Sequence, residues 1–205
     1  MNYSDALALM EPCRVPEGTA GRHSVQRFTI SKDGAAMFNL GLMINGIGHR
    51  RVVTGEFTRL VREGTHFPIM SDTLAELTDH IPPVQNATGH CLIAGLGLGM
   101  VAEACLRKPQ VTSVTVVEIE PDVIELTGPY LLEKYENLAI IEADIFEWLP
   151  EKGERFGMVW FDIWDDMNAD NLPQMAKLSR RFTRFADWYG HWGRDEIRRD
   201  QRRWR

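Results

Sequence analysis

The chain has 205 residues, of which 44% are hydrophobic and 25% charged. That is enough for one sizeable core with a small appendage, and it argues against wholesale disorder. A net charge of −6 disfavours a generic polyanion binder. Cys13, Cys91 and Cys105 are odd in number and far apart, which argues against a disulfide framework or a zinc site, and no metal site is expected. The charge is uneven. Residues 1–170 hold 13 Lys and Arg against 25 Asp and Glu, net −12, whereas residues 171–205 hold 10 against 4, net +6. The longest apolar run, Cys91–Ala102, is too short to span a bilayer. Met1–Glu11 has no basic n-region of a signal peptide. A cytoplasmic protein without a membrane partner is the expectation.

Residues 1–20, with Pro12, Pro16 and Gly18, predict irregular structure. Ser24–Ser31 reads as a strand, Lys32-Asp33-Gly34 as a turn and Ala35–Ile44 as the partner strand. Asn45-Gly46 signals a second turn, followed by strands at Arg51–Thr54 and Phe57–Arg62. Together these suggest a small antiparallel sheet over residues 23–63. Thr73-Leu-Ala-Glu76 has capping-box spacing, so a short helix is expected over Leu74–His80, ended by Ile81-Pro82-Pro83.

From Gly89 the pattern alternates. Strands are predicted at Cys91–Gly95, Ser113–Glu118, Asn137–Glu142 and Phe156–Asp162. Helices are predicted at Leu98–Lys108, from Pro121 to about Tyr135 with a kink or split at Pro129, and at Leu172–Ala186. Such a βαβαβ series argues for an α/β fold with a parallel sheet. Two units are expected: residues 1–85, with the antiparallel sheet and short helix, and residues 86–205, with the parallel sheet and basic tail. The last 19 residues read as too polar for strands, which leaves a shortened sheet and an exposed edge. The tail, with Trp188, Trp192 and Trp204, could cover that edge, a second subunit could cover it, or the tail could meet nucleic acid; a cover is the favoured reading. The six histidines are scattered and are assigned no role.

Four features could carry chemistry. Gly95-Leu-Gly97-Leu-Gly99 joins a strand to a helix N-terminus, where free N–H groups and a positive dipole end could meet a ligand. Met100 replaces the last glycine of the dinucleotide fingerprint, which weakens a nicotinamide reading, and a plain tight turn remains open. Glu118, 23 residues after Gly95, is placed to accept from ribose hydroxyls or else faces solvent at a strand end. Asp144 could meet an adenine amino group, cap a helix over Ile145–Leu149, or do both. Asp162, Asp165 and Asp166 end the fourth strand; their mutual repulsion should raise at least one pKa, which suits a proton acceptor or an amine site.

On these motifs residues 89–166 resemble class I S-adenosylmethionine-dependent methyltransferases, and within that fold the spermidine synthase branch. The resemblance implies a Rossmann-like fold with S-adenosyl-L-methionine as cofactor. Gly95, Gly97 and Gly99 would lie along its methionine part. Glu118, with Ile119 beside it, would hold the ribose, and Asp144, with Ile145, the adenine. Asp162 and Asp165 align with the Asp-x-x-Asp of spermidine synthases, which makes Asp162 both a cofactor neighbour and, with Asp165, a catalytic candidate. The implied activity is methyl transfer to a small-molecule or macromolecular acceptor that the sequence does not identify. One alternative is aminopropyl transfer from decarboxylated S-adenosylmethionine to a polyamine. However, the family's tyrosine–histidine polyamine stretch has no match in Glu56–Leu60 or Met70–Thr73. A second alternative is a non-catalytic interaction module.

Overall fold

A computed structural model describes residues 1–44, 52–65 and 67–203. The centre of the molecule is a five-stranded, wholly parallel sheet. Its strands are β5 (Gly89–Ala94), β6 (Val111–Glu118), β7 (Leu138–Glu142), β8 (Phe156–Phe161) and β9 (Ala186–His191), in the order β7-β6-β5-β8-β9. Alternate side chains are buried on both faces, as a doubly covered parallel sheet requires. Cys91, Ile93, Val114, Val116, Met158 and Trp160 enter one core. Leu92, Ala94, Val117, Val159 and Phe161 enter the other.

The first face is covered by α4 (Ile81–Asn86), α5 (Met100–Leu106) and α6 (Pro121–Lys134), with α1 (Tyr3–Leu9) outside them. The second is covered by α7 (Leu172–Phe182), through Met175, Leu178 and Phe182, and by Ile197 of α8 (Arg194–Arg203). The architecture is Rossmann-like α/β. The chain leaves β5 toward β7, then returns to β8 on the other side. The strand order therefore reverses between β5 and β8, the crevice where open α/β sheets bind ligands.

A separate antiparallel sheet has the order β1-β2-β3-β4, from β1 (Gly18–Ala20), β2 (His23–Ile30), β3 (Gly55–Arg62) and β4 (Met70–Ser71). It rests on α6: Asp122 accepts from the Arg22 backbone N–H at 2.9 Å and pairs with His23 Nδ1 at 3.1 Å. Those two bonds, the one to His23 first, hold the Asp122 carboxyl below its usual pKa.

Several expectations change. Residues 1–20 contain α1 and β1, and α1 is capped by Asn2, whose side chain accepts from Asp5 N–H. Ala35–Ile44 is no strand; it lies in α2 (Lys32–Ile44). Ser31 starts that helix, its Oγ accepting from Gly34 N–H and its carbonyl from Ala35 N–H, so the apparent turn is a helix N-terminus. Residues 52–54 are not in a strand, and Arg51 and the Asn45-Gly46 turn lie outside the described residues. Pro82 and Pro83 do not merely end α3 (Leu74–Asp79): they begin α4, where the first turn tolerates proline. Pro129 lies within α6, which runs on to Lys134. The predicted Leu172–Ala186 helix stops at Phe182, passes through one 3-10 turn at Thr183–Phe185 and enters β9.

The largest correction is β9 itself. The tail supplies a fifth parallel strand where none was expected, in register with β8 from Phe156↔Ala186 to Phe161↔His191. Trp188 stacks on Trp160 at 6.2 Å between centroids, and Trp192 packs between the two cores. The tail tryptophans that are described thus serve burial. Among the described residues no helix is long and apolar enough to cross a membrane, and no group of His, Cys, Asp and Glu is placed to hold a metal ion.

Candidate functional site

The carboxyl ends of β5, β6 and β8 and the turn after β7 open on one cavity of about 310 Å³. It brings together Gly95, Gly97, Glu118, Ile119, Asp144, Ile145, Asp162 and Asp165 of the sequence-predicted set. Gly99 is not in its lining; it is the left-handed N-cap of α5, packed against Leu131 and Thr127.

Gly95 follows β5 and has φ +96°. A Cβ there would stand 2.0 Å from the Asp162 carbonyl oxygen. Because Asp162 N–H donates to Ala94 O at 2.8 Å, the two strand ends cannot separate to admit it. Gly95→Ala is therefore expected to cost about 3 kcal/mol from strain and overlap. The matching fall in Tm is about 6–12 °C, measurable by thermal unfolding. The loop is tied down from the other side by Thr127 Oγ1, which donates to Gly97 O at 2.8 Å, and by Met70, whose Sδ accepts from Leu98 N–H at 3.3 Å.

Glu118 does not face solvent. It is buried, and its carboxylate accepts from three backbone N–H groups: Leu96 at 2.7 Å, Ile119 at 2.8 Å and Glu120 at 2.9 Å. It joins the glycine loop to the end of β6. A carboxylate offers about four lone-pair directions, so about one remains for a ligand hydroxyl. Asp144 Oδ1 accepts from Phe146 N–H at 2.8 Å, closing a turn; no regular helix follows it. Ile119, Ile145, Val123 and Phe146 give the same end of the cavity apolar walls.

Asp162 sits at the switch point with its side chain only 11% exposed. Its carboxyl is pushed up to about 8, first by burial and then by Glu76 and Asp79 of α3. The expected cause, repulsion by Asp165 and Asp166, is not the operative one. Asp165 is half exposed and paired with Arg62 of β3 across the cavity mouth, and Asp166 O accepts from Asn171 Nδ2. Asp165 thus lines the entrance and is already engaged by a guanidinium.

Sequence reasoning missed the α3–α4 corner. His80, 1% exposed, has Nδ1 3.6 Å from Asp162 Oδ2 and stands edge-on to Trp160. The available signal was Glu76-Leu-Thr-Asp79-His80, three ionisable residues in one helical turn ahead of a Pro-Pro pair. The capping box also differs. Thr73 makes no side-chain cap bond, and Glu76 accepts from the backbone and hydroxyl of Ser71. His23 was missed too. It lines the cavity and, with Nδ1 on Asp122, its Nε2 has no hydrogen-bond partner among the described residues.

No family model and no curated protein matches the sequence. Solved structures do match in part. A dimethyladenosine transferase from Plasmodium falciparum shares 21% identity over 48% of this chain and 34% of its own, with a TM-score of 0.37. A candidate RNA methyltransferase from Pyrococcus horikoshii shares 15% over 63% of this chain and 65% of its own, with a TM-score of 0.45. An S-adenosylmethionine-dependent methyltransferase from Clostridium acetobutylicum shares 11% over 51% and 41%, with a TM-score of 0.40. The chain thus spans from about a third to just under two thirds of the length of these structures. Two of these three structures are named as methyltransferases and the third as a dimethyladenosine transferase.

Proposed function

We propose that this protein is an S-adenosylmethionine-dependent methyltransferase. The observation that carries the reading is one cavity at the strand-order reversal that holds the glycine loop, Glu118, Asp144 and Asp162 together. Its donor set fits the ligand. Glu118 retains lone-pair capacity for a ribose hydroxyl, the Ile119–Ile145 end is an apolar slot for a flat base, and the glycine loop lets a ligand approach backbone. When bound, S-adenosylmethionine would supply a methyl group on an already activated leaving thioether. The protein's own part is positioning and proton handling. Asp162, backed by His80, is placed to orient an acceptor amine or hydroxyl and to take its proton once ionised.

Calorimetric titration tests this. Saturable binding of S-adenosylmethionine is expected, weakened about 100-fold by Glu118→Ala, which removes both the ribose acceptor and the loop's anchor. A folded wild-type protein that binds nothing at about millimolar ligand, or a variant that binds equally well, overturns the assignment. Aminopropyl transfer gains no support from the cavity mouth, where a cationic polyamine would meet Arg62.

A further inference from the structure

The antiparallel sheet has one face on α6 and the body, and one face open. On the open face Ser24, Gln26 and Phe28 of β2 stand opposite Val61, Arg59 and Phe57 of β3. A groove of about 630 Å³ runs along this face to Glu63, Gly64, Thr65, Phe67 and Pro68. That size suits a small molecule. Three guanidinium groups line it, from Arg22, Arg59 and Arg62.

These arginines are held in place. Arg59 donates through Nε and Nη2 to Gln26 Oε1, at 3.2 and 3.0 Å, and lies over the Phe28 ring at 5.4 Å. Gln26 is itself oriented by donating to Ser24 Oγ at 2.9 Å. Arg22 donates to the Glu63 carbonyl at 3.3 Å. Among the described residues neither Arg22 nor Arg59 has a carboxylate within ion-pair distance, although the Asp122 carboxylate feels the charge of Arg22 and Glu63 also lines the groove.

The groove also adjoins the proposed active site. His23 and Arg62 line both cavities, and Arg62 reaches Asp165 at the mouth of the first. The two cavities therefore adjoin at His23 and Arg62, and a molecule anchored on the arginines lies beside the cavity that holds Asp162. We propose that this groove is the acceptor subsite and that the methyl acceptor is a small acid, its carboxylate or phosphate held by Arg22 and Arg59. The proposal rests on the methyltransferase reading for the word acceptor; the anion site stands on the groove alone. Guanidinium forks match both oxyanions. The size of the groove and the acidic surroundings favour a small acid over a polynucleotide, and the same arginines repel a polyamine.

The test is calorimetry on the full chain with pyrophosphate and with citrate, each with and without S-adenosylmethionine. Saturable binding of at least one acid is expected, weakened at least about tenfold in the Arg22→Gln/Arg59→Gln protein, with cofactor affinity unchanged. Each single variant should show an intermediate loss, which guards against a folding defect in the double variant. The proposal is overturned if a folded wild-type protein binds neither acid, if the double variant binds them equally, or if spermidine occupies the groove instead. It is also overturned if only a single-stranded oligonucleotide binds and the double variant leaves that binding unchanged. Acid binding without cofactor binding removes the methyltransferase reading and leaves the anion site. Cofactor binding without acid binding does the reverse.

Discussion

Removal of residues 186–205 is expected to abolish the folded state. Ala186–His191 is a strand of the central sheet, and its loss exposes β8 along its whole length. Trp188 would no longer cover Trp160, and His191 would no longer stack on Phe161, now 4.9 Å away. The bond from Trp192 N–H to the Phe161 carbonyl, 2.9 Å, would also go, together with Ile197, which is 4% exposed against the α7 side of the sheet. Each buried aromatic or aliphatic side chain contributes about 1.5–3 kcal/mol. Several lost at once rival the about 5–15 kcal/mol that stabilises a whole domain. Circular dichroism and size-exclusion chromatography should show an aggregated or unfolded chain. A shorter deletion, of residues 194–205, removes only α8 and Ile197. It should leave a cooperative melt at a Tm lowered by about 5–10 °C. A cooperative melt for the longer deletion would mean that β9 is dispensable and that the tail is a surface cover after all.

That strand also shows where sequence reading stops. β5, β6 and β8 announce themselves because both of their faces are buried, so Cys91–Ala94 and Met158–Phe161 are continuous apolar runs and Val114–Val117 is broken only by the buried Thr115. β9 is at the edge. Only His191 of its six residues is fully buried, and Asp187 points outward to pair with Arg155 at 2.7 Å. Ala-Asp-Trp-Tyr-Gly-His therefore carries no strand signal of its own; the free edge of β8 dictates it. The apolar stretch after Lys32 failed differently. Its lack of polar alternation suited a strand or a helix, and the Ser31 cap decides for the helix. Within the site the glycine loop and the strand-end acids were legible because each sits beside the strand that presents it. The environment of Asp162 was not. Glu76, Asp79 and His80 reach it from a helix far upstream, through the packing of α3 and α4 onto β8. Sequence proximity suggested Asp165 and Asp166 as its perturbers, but Arg62 and solvent occupy Asp165.

The Asp162 environment yields the prediction with the largest chemical effect. A carboxyl near 8 in the folded protein, against an ordinary value of 3.8, means that the folded state keeps a proton the unfolded chain has lost. The resulting stability is fully present below about pH 4 and is lost as pH rises through about 8, at up to about 1.4 kcal/mol per pH unit. Asp162→Asn keeps the shape and removes the proton linkage. In denaturant titrations the variant should gain on wild type by on the order of 2 kcal/mol between about pH 5 and pH 7. His191, lowered to about 4 by burial, works in the opposite sense, costing stability as pH falls through 6.5. It is common to both proteins and cancels in the difference. The same linkage should appear in ligand binding. A cation held in the cavity favours ionised Asp162. S-adenosylmethionine should therefore bind with proton release and more tightly as pH rises toward about 8, whereas the neutral thioether S-adenosylhomocysteine should show a flatter profile. Asp162→Asn should erase that contrast. Once an acceptor is in hand it should also lower turnover by about 100- to 10,000-fold, the range of a lost general base. Equal pH profiles for the two ligands in wild type would place the cation away from Asp162 and deny it the role of base.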